Sequence, residues 1–112
     1  MTVLIIREPA TSSELAEMSA ESGAVIKLAV DLRRGVLAGG GVLHADCEAA
    51  LLEDRSNQED IWGGDWLPDL REVGFESLIN IRPRQGNRSL DLQAPELREQ
   101  FEAIVRRLLE VR

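Results

Sequence analysis

The chain has 112 residues, the size of one compact domain, and its core must be mainly aliphatic, because aromatic residues make up only 4%. Its formal net charge of −7 disfavours nucleic acid as a partner, since phosphate binding needs a basic face. A single cysteine excludes an internal disulfide, and no apolar run suits a signal peptide or a membrane span, so we expect one cytoplasmic domain over residues 1–112.

The N-terminal segment predicts a strand followed by a short helix. Residues 3–7 are apolar and largely β-branched and precede Pro9, which predicts a buried first strand. Thr11 and Glu14 have the spacing of a capping box, which indicates a helix start. The apolar stripe that follows is thin, so we expect a short, partly buried helix that ends near Gly23.

The next segments predict an antiparallel hairpin. Residues 24–32 alternate between apolar and polar side chains, as in a half-buried strand. A tight turn at 33–35 leads into a return strand at 36–38. The glycines at 39–41 suit either a phosphate-binding loop or a bulge where backbones approach closely. Because the Lys-Ser/Thr of a P-loop is missing, we expect the second.

Residues 43–53 fit two structures. Their propensity favours a helix, whereas the alternation places His44, Asp46 and Glu48 on one face of a strand. We expect a strand, because the alternation is clean and the preceding segments form a meander.

The remaining segments predict a long loop, a last strand and a helix. Residues 57–75 are typical of an irregular loop with one short strand near 61–62, and residues 75–82 of a strand that ends at Pro83. Pro95 suits a first helical position. Apolar residues then recur at helical spacing, namely Leu97, Phe101, Ile104, Val105, Leu108 and Val111.

These elements together predict an α+β fold. We expect a mainly antiparallel sheet of four or five strands, covered on one face by the long C-terminal helix with the short N-terminal helix beside it.

Two motifs are unusually rich in polar side chains. The first combines acidic residues with the only histidine, and the second combines arginines with amide side chains. The first comprises His44-Ala45-Asp46 with Glu48, residues 51–56, Gln58 with Asp60, and residues 61–63; the second comprises residues 80–83 and 85–89. In these motifs the chain resembles a family of short prokaryotic proteins classed as a domain of unknown function. Arg55 stands where that family usually has Gly, Asp65 where it has Asn, and Leu67 where it has an aromatic residue. The resemblance implies no activity.

The candidate site combines the functional side chains of both motifs: His44, Asp46, Glu48, Asp60, Arg82, Asn87 and Arg88. One hypothesis is a module that binds a small anionic or polar ligand or a protein partner, with Trp62 and Trp66 as a stacking wall. A second is a metal- or His-dependent hydrolase, although the spacing matches no metal motif. A third is a structural polar network. The sequence leaves the cofactor and metal undetermined and is compatible with a homo-oligomer.

Overall fold

A computed structural model describes residues 3–20 and 23–110. In those ranges the strands are β1 (Val3–Ile6), β2 (Ile26–Asp31), β3 (Val36–Gly40), β4 (Ile61–Leu67) and β5 (Glu72–Gly74), and the helices are α1 (Ser12–Ser19), α2 (His44–Glu53) and α3 (Pro95–Leu109). Short 3₁₀ turns occupy Gln58–Asp60, Leu78–Asn80 and Pro83–Gln85. The predicted α+β fold is confirmed.

The strands form one five-stranded sheet in the order β1-β3-β2-β4-β5, in which all neighbours are antiparallel. The β2–β3 turn is closed by Asp31, whose Oδ1 accepts hydrogen bonds from the backbone N–H groups of Arg33 and Arg34. Strand β2 is buried on both faces rather than half-buried, because helices cover both sides of the sheet.

One face of the sheet is covered by α1 and α3, as predicted. Met18 of α1 and Phe101 and Leu108 of α3 pack there against Leu28 and Trp62. The capping box is present, since the Glu14 N–H donates to Thr11 Oγ1 and the Thr11 N–H donates to Glu14 Oε1. The Val111 position of the predicted stripe lies outside the described residues.

The strand predicted over residues 43–53 is wrong, because this segment forms α2. Helix α2, which the sequence did not predict, covers the second face of the sheet. Cys47 and Leu51, four residues apart, share one side of the helix and pack with Ala29, Ala38 and Ile61. The propensity of the Ala- and Leu-rich segment therefore decides the local structure.

The strand predicted over residues 75–82 is also wrong. Strand β5 lies before it, and Leu78–Asn80 forms a 3₁₀ turn. The segment near 61–62, expected to be one short strand in a loop, instead forms the seven-residue β4 inside the sheet. Gly63 and Gly64 have low strand propensity, so the sequence does not predict this strand. Both glycines are nevertheless needed, because neighbouring side chains leave no space for a Cβ atom. A Cβ on Gly64 would lie 2.6 Å from the Phe101 ring, and one on Gly63 would lie 2.6 Å from Ser77.

At Gly39 in β3 the close approach is made by side chains rather than by another backbone. A Cβ on Gly39 would lie 2.8 Å from the Met18 sulfur. Across the described ranges, no helix combines the length and apolar character needed to cross a bilayer.

Candidate functional site

A surface cleft of about 560 Å³ opens between α2 and residues 78–85. Its apolar wall is formed by Leu78, Ile79 and Ile81. Glu48 of α2, Arg82 and Arg84 supply charged groups. The cleft thus brings together two of the seven candidate residues, Glu48 and Arg82, from motifs 34 positions apart in the chain.

Arg82 is held in place from several sides. Its Nη2 donates to Glu48 Oε2 at 3.2 Å, its Nη1 to the Gln58 carbonyl at 2.7 Å, and its Nε to the Ile79 carbonyl at 2.9 Å. The guanidinium carbon lies 4.6 Å from the centroid of the Trp62 ring. Burial lowers the pKa of Arg82, an effect that the Glu48 charge opposes. Arg82 is therefore a fixed positive charge at the wall of the cleft, with little donor capacity left.

Arg84 differs from Arg82 because its side chain is exposed and unengaged. It lies in the Pro83–Gln85 turn and lines the same cleft. Within residues 3–20 and 23–110 it forms no side-chain hydrogen bond or ion pair. Its guanidinium is consequently available to an incoming anion.

His44 begins α2 and is fastened to β4. Its Nε2 lies 2.9 Å from the Gly64 carbonyl oxygen and 3.1 Å from Asp65 Oδ1. Its ring lines a second cavity of about 250 Å³ together with Lys27, Leu43 and Leu78. The two cavities adjoin, because Leu78 and Ile79 line both. His44 thus lies beside the cleft rather than in it.

The other predicted acids lie elsewhere. Asp46 is partly buried in the first turn of α2 and lines neither cavity. Asp60 forms an ion pair with Arg33 at 3.0 Å, close to the β2–β3 turn. His44, Asp46 and Glu48 therefore do not converge, and the described residues contain no group of three His, Cys, Asp or Glu side chains that suits a metal ion.

Asn87 and Arg88 have different environments. Asn87 is buried, and its amide donates to the carbonyls of Asn80, Ser89 and Asp91 while its Oδ1 accepts from the Gln93 N–H. This side chain organises the loop rather than facing a cavity. The Arg88 side chain is exposed and forms no hydrogen bond with the part of the chain described here.

The sequence did not predict Lys27 and Asp65 as site residues. Lys27 lines the second cavity with His44, and Asp65 contacts the His44 ring directly. They are direct cross-strand partners in β2 and β4. Because the segment that carries Asp65 has the composition of a loop, no signal placed it beside Lys27. Asn80 belongs to the second motif but not to the predicted site, although a polar residue between two isoleucines indicates a buried amide with backbone partners.

Comparison with known proteins gives one match. The model of a family described as "Protein of unknown function (DUF5674)" matches residues 4–108. No curated protein and no solved structure matches the chain.

Proposed function

The chain belongs to the DUF5674 family, and because that family is described as one of unknown function, we propose a function from geometry: the cleft between α2 and residues 78–85 binds a small organic anion. The observation that carries this proposal is the unengaged guanidinium of Arg84 beside an apolar wall. A carboxylate or phosphate would pair with Arg84, and an apolar body would lie against Leu78 and Ile81.

The charge distribution supports an anion rather than a cation. The chain carries a formal net charge of −7, yet two arginines line this cleft against a single acid, Glu48. Glu48 already pairs with Arg82 at 3.2 Å, so the Arg84 charge is not neutralised locally. An anion that enters the cleft therefore meets a positive potential in an otherwise acidic molecule.

The dimensions and the apolar wall support a small organic molecule. A volume of about 560 Å³ lies within the range of ligand cavities, which is on the order of 300–1,000 Å³. Leu78 is 77% exposed and Ile81 is 46% exposed, and a ligand would remove part of this apolar surface from water. Inorganic phosphate alone would leave the apolar wall uncovered, so we expect it to bind more weakly than phenyl phosphate.

The test is thermal unfolding of the protein with benzoate, phenyl phosphate or inorganic phosphate. A probe at about 100 times its Kd adds about 2.7 kcal/mol to the free energy of unfolding and raises the Tm measurably. Arg84→Gln should weaken phenyl phosphate binding by about tenfold, the loss of one charged hydrogen bond. The matched control is Arg88→Gln, which removes the same charge from an exposed side chain outside the cleft.

If Arg84→Gln and Arg88→Gln weaken phenyl phosphate binding equally, the effect comes from net charge and not from the cleft. If no probe shifts the Tm, these anions are excluded as ligands. Leu78→Ser tests the apolar wall separately. It should weaken phenyl phosphate while leaving inorganic phosphate unchanged. Loss of both probes by the same factor would contradict a role for that wall.

A second candidate is a protein partner at the same surface, in the simplest case a second copy of the chain. It is favoured by the high exposure of Leu78 beside Leu43, which is 57% exposed. Sedimentation equilibrium tests self-association: wild type should form dimers that Leu78→Asp dissociates. A monomer at all concentrations would exclude this partner. We also propose a cytoplasmic location and a prokaryotic origin. The absence of an internal disulfide, since the chain has one cysteine, supports the first, and the motifs support the second.

A further inference from the structure

The cavity beside the cleft holds a histidine whose ring nitrogens have unequal roles. Both atoms near Nε2, the Gly64 carbonyl oxygen at 2.9 Å and Asp65 Oδ1 at 3.1 Å, are acceptors. Nε2 must therefore carry the proton and donate it. In the neutral ring the lone pair then resides on Nδ1.

Nδ1 of His44 is free to act. Among residues 3–20 and 23–110 no group hydrogen-bonds to it. The His44 side chain is 16% exposed, and no buried polar side-chain atom of this part of the chain lacks a partner, so an unpartnered Nδ1 must reach solvent. A histidine with a fixed tautomer and a solvent-accessible Nδ1 thus lines a cavity of about 250 Å³.

Asp65 is positioned to hold the imidazole. It lies in β4 between Lys27 of β2 and Gly74 of β5. A Cβ on Gly74 would lie 3.2 Å from Asp65 Oδ2, so the glycine leaves room for the carboxylate. A carboxylate that accepts a hydrogen bond from one imidazole nitrogen orients the ring and fixes its tautomer, so the lone pair of the other nitrogen keeps one direction.

Lys27 supplies a positive charge in the same cavity. It lines the cavity with His44 and faces Asp65 across the sheet, while Leu43, Leu78 and Ile79 make the remaining wall apolar. An ammonium group beside an apolar wall suits a substrate that carries its own carboxylate. The charged groups facing His44 are thus Asp65 from β4 and Lys27 from β2.

We propose that His44 is the general base of a hydrolytic site whose substrates are small carboxylic esters bearing a free carboxylate. Nδ1 accepts a proton from water while the water oxygen bonds to the ester carbonyl carbon. The carbon–oxygen bond to the alcohol then breaks, and the proton on Nδ1 passes to the departing alkoxide. The products are an acid and an alcohol, and the imidazole returns to its neutral form. Lys27 pairs with the substrate carboxylate, and Asp65 acts as a positioning residue.

This proposal does not depend on anion binding in the cleft, because it uses none of the groups assigned there except the shared apolar wall. The kinetic test compares hydrolysis of the mono-p-nitrophenyl ester of succinic acid with that of p-nitrophenyl acetate. Wild type should hydrolyse the succinate ester with saturation. His44→Gln, whose amide still reaches the Gly64 carbonyl, should lower kcat by about 100-fold. Lys27→Met should raise KM for the succinate ester by a larger factor than KM for the acetate ester, which has no carboxylate to pair with Lys27.

The control variant is Asp69→Asn, an exposed carboxylate in the turn after β4, which should leave all rates unchanged. Equal rates in wild type and in folded His44→Gln would overturn the proposal. So would hydrolysis without saturation, since any free imidazole achieves that.

A second measurement reads the tautomer directly. His44 is the only histidine, so ¹⁵N NMR of the imidazole reports its tautomer without assignment. We expect the Nε2–H form in wild type. In Asp65→Asn we expect a mixed population of tautomers together with a kcat lower by about tenfold. An Nδ1–H tautomer in wild type would refute the proposal even if every variant failed to fold.

Discussion

At the scale of single residues, buried amides replace strand pairing at one edge of the sheet. Asn80 is fully buried, and its Oδ1 accepts from the Gly63 N–H at 2.8 Å while its amide nitrogen donates to the Gly63 carbonyl at 2.9 Å. The same nitrogen lies 3.1 Å from the Phe75 carbonyl and 3.2 Å from the Leu90 carbonyl. One side chain thus serves β4 as a neighbouring strand would, and it anchors the turn from which Arg82 reaches the cleft.

We predict that Asn80→Ala destabilises the fold by about 3 kcal/mol, because it leaves several buried backbone groups without partners. Urea unfolding followed by tryptophan fluorescence measures the loss. The control is Asn57→Ala, an exposed asparagine whose side chain caps nothing, which should change the free energy of unfolding by less than about 0.5 kcal/mol. A loss for Asn80→Ala no larger than that of the control would contradict this role.

We expect the ion pairs of Asp54 to make the stability of the fold depend on pH. Hydrogen bonds from Arg7 at 2.6 Å and Arg34 at 2.7 Å lower the pKa of this carboxyl from 3.8 to about 2. A group with a lowered pKa stabilises the fold above its ordinary pKa, and its contribution is lost as the pH falls toward the folded value. Asp54→Asn should therefore lower the Tm at pH 6, and the difference from wild type should shrink between about pH 4 and pH 2.

The control for this prediction is Asp69→Asn, which removes the same charge from an exposed position. A pH dependence shared by both variants would assign the effect to net charge rather than to the Arg7–Asp54–Arg34 ion pairs.

At the scale of elements, the sequence predicts those segments whose local pattern and tertiary role agree. The capping box of α1 and the apolar stripe of α3 are such cases, and both helices form. The alternation over residues 24–32 predicts strand β2 but not its burial on both faces. The alternation over residues 43–53 does not predict the structure, because alanine and leucine have high helix propensity and alanine is disfavoured in strands. Strand β4 was hidden by Gly63 and Gly64, whose reason lies in distant residues that no local pattern contains.

For the candidate site, the sequence places Arg82 and Glu48 among the candidate residues, and the structure pairs these two side chains. The sequence does not predict the Lys27–His44–Asp65 cluster. The cluster depends on the register of β2 with β4, which single-sequence patterns do not determine.

The end of α2 carries a local conflict that can be relieved. Arg55 follows the helix with φ of 75°, the left-handed conformation that glycine adopts most readily at the end of a helix. We predict that Arg55→Gly raises the free energy of unfolding by about 0.5–1 kcal/mol, because glycine adopts this conformation without strain. The matched control is Arg55→Ala, which removes the same side chain but keeps the strain. Equal stabilisation by both variants would attribute the gain to loss of charge.

At the scale of the whole molecule, the two faces of the sheet differ in size. The face under α1 and α3 contains Phe101, Trp62 and Trp66, whereas the face under α2 contains small side chains such as Ala29, Ala38 and Cys47. Smaller buried apolar area means a smaller free energy of opening. We therefore expect α2 to detach from the sheet at a lower free energy than global unfolding. Helix α2 contributes Glu48 to the cleft and His44 to the second cavity.

The reactivity of the Cys47 thiol can be used to measure this detachment of α2. Cys47 is fully buried, its Sγ lies 3.2 Å from the Gly40 carbonyl oxygen, and burial, followed by the charge of Asp46, raises the pKa of the thiol to about 12. The native thiol should resist a disulfide reagent at about pH 8, because only the thiolate reacts. The labelling rate at increasing urea then measures the free energy of the opening that exposes Cys47.

For comparison, Val105→Cys in a Cys47→Ala background places the only thiol under α3, on the other face of the sheet. We expect Cys47 to label through an opening with a weaker urea dependence and a lower free energy than the thiol introduced by Val105→Cys. The free energy measured with that variant should equal the global value reported by the fluorescence of Trp62 and Trp66. Equal free energies at both positions would mean that the two layers open together. In that case a ligand bound at α2 would stabilise the whole molecule. Helix α2 would then have no separate motion that could control access to the cleft.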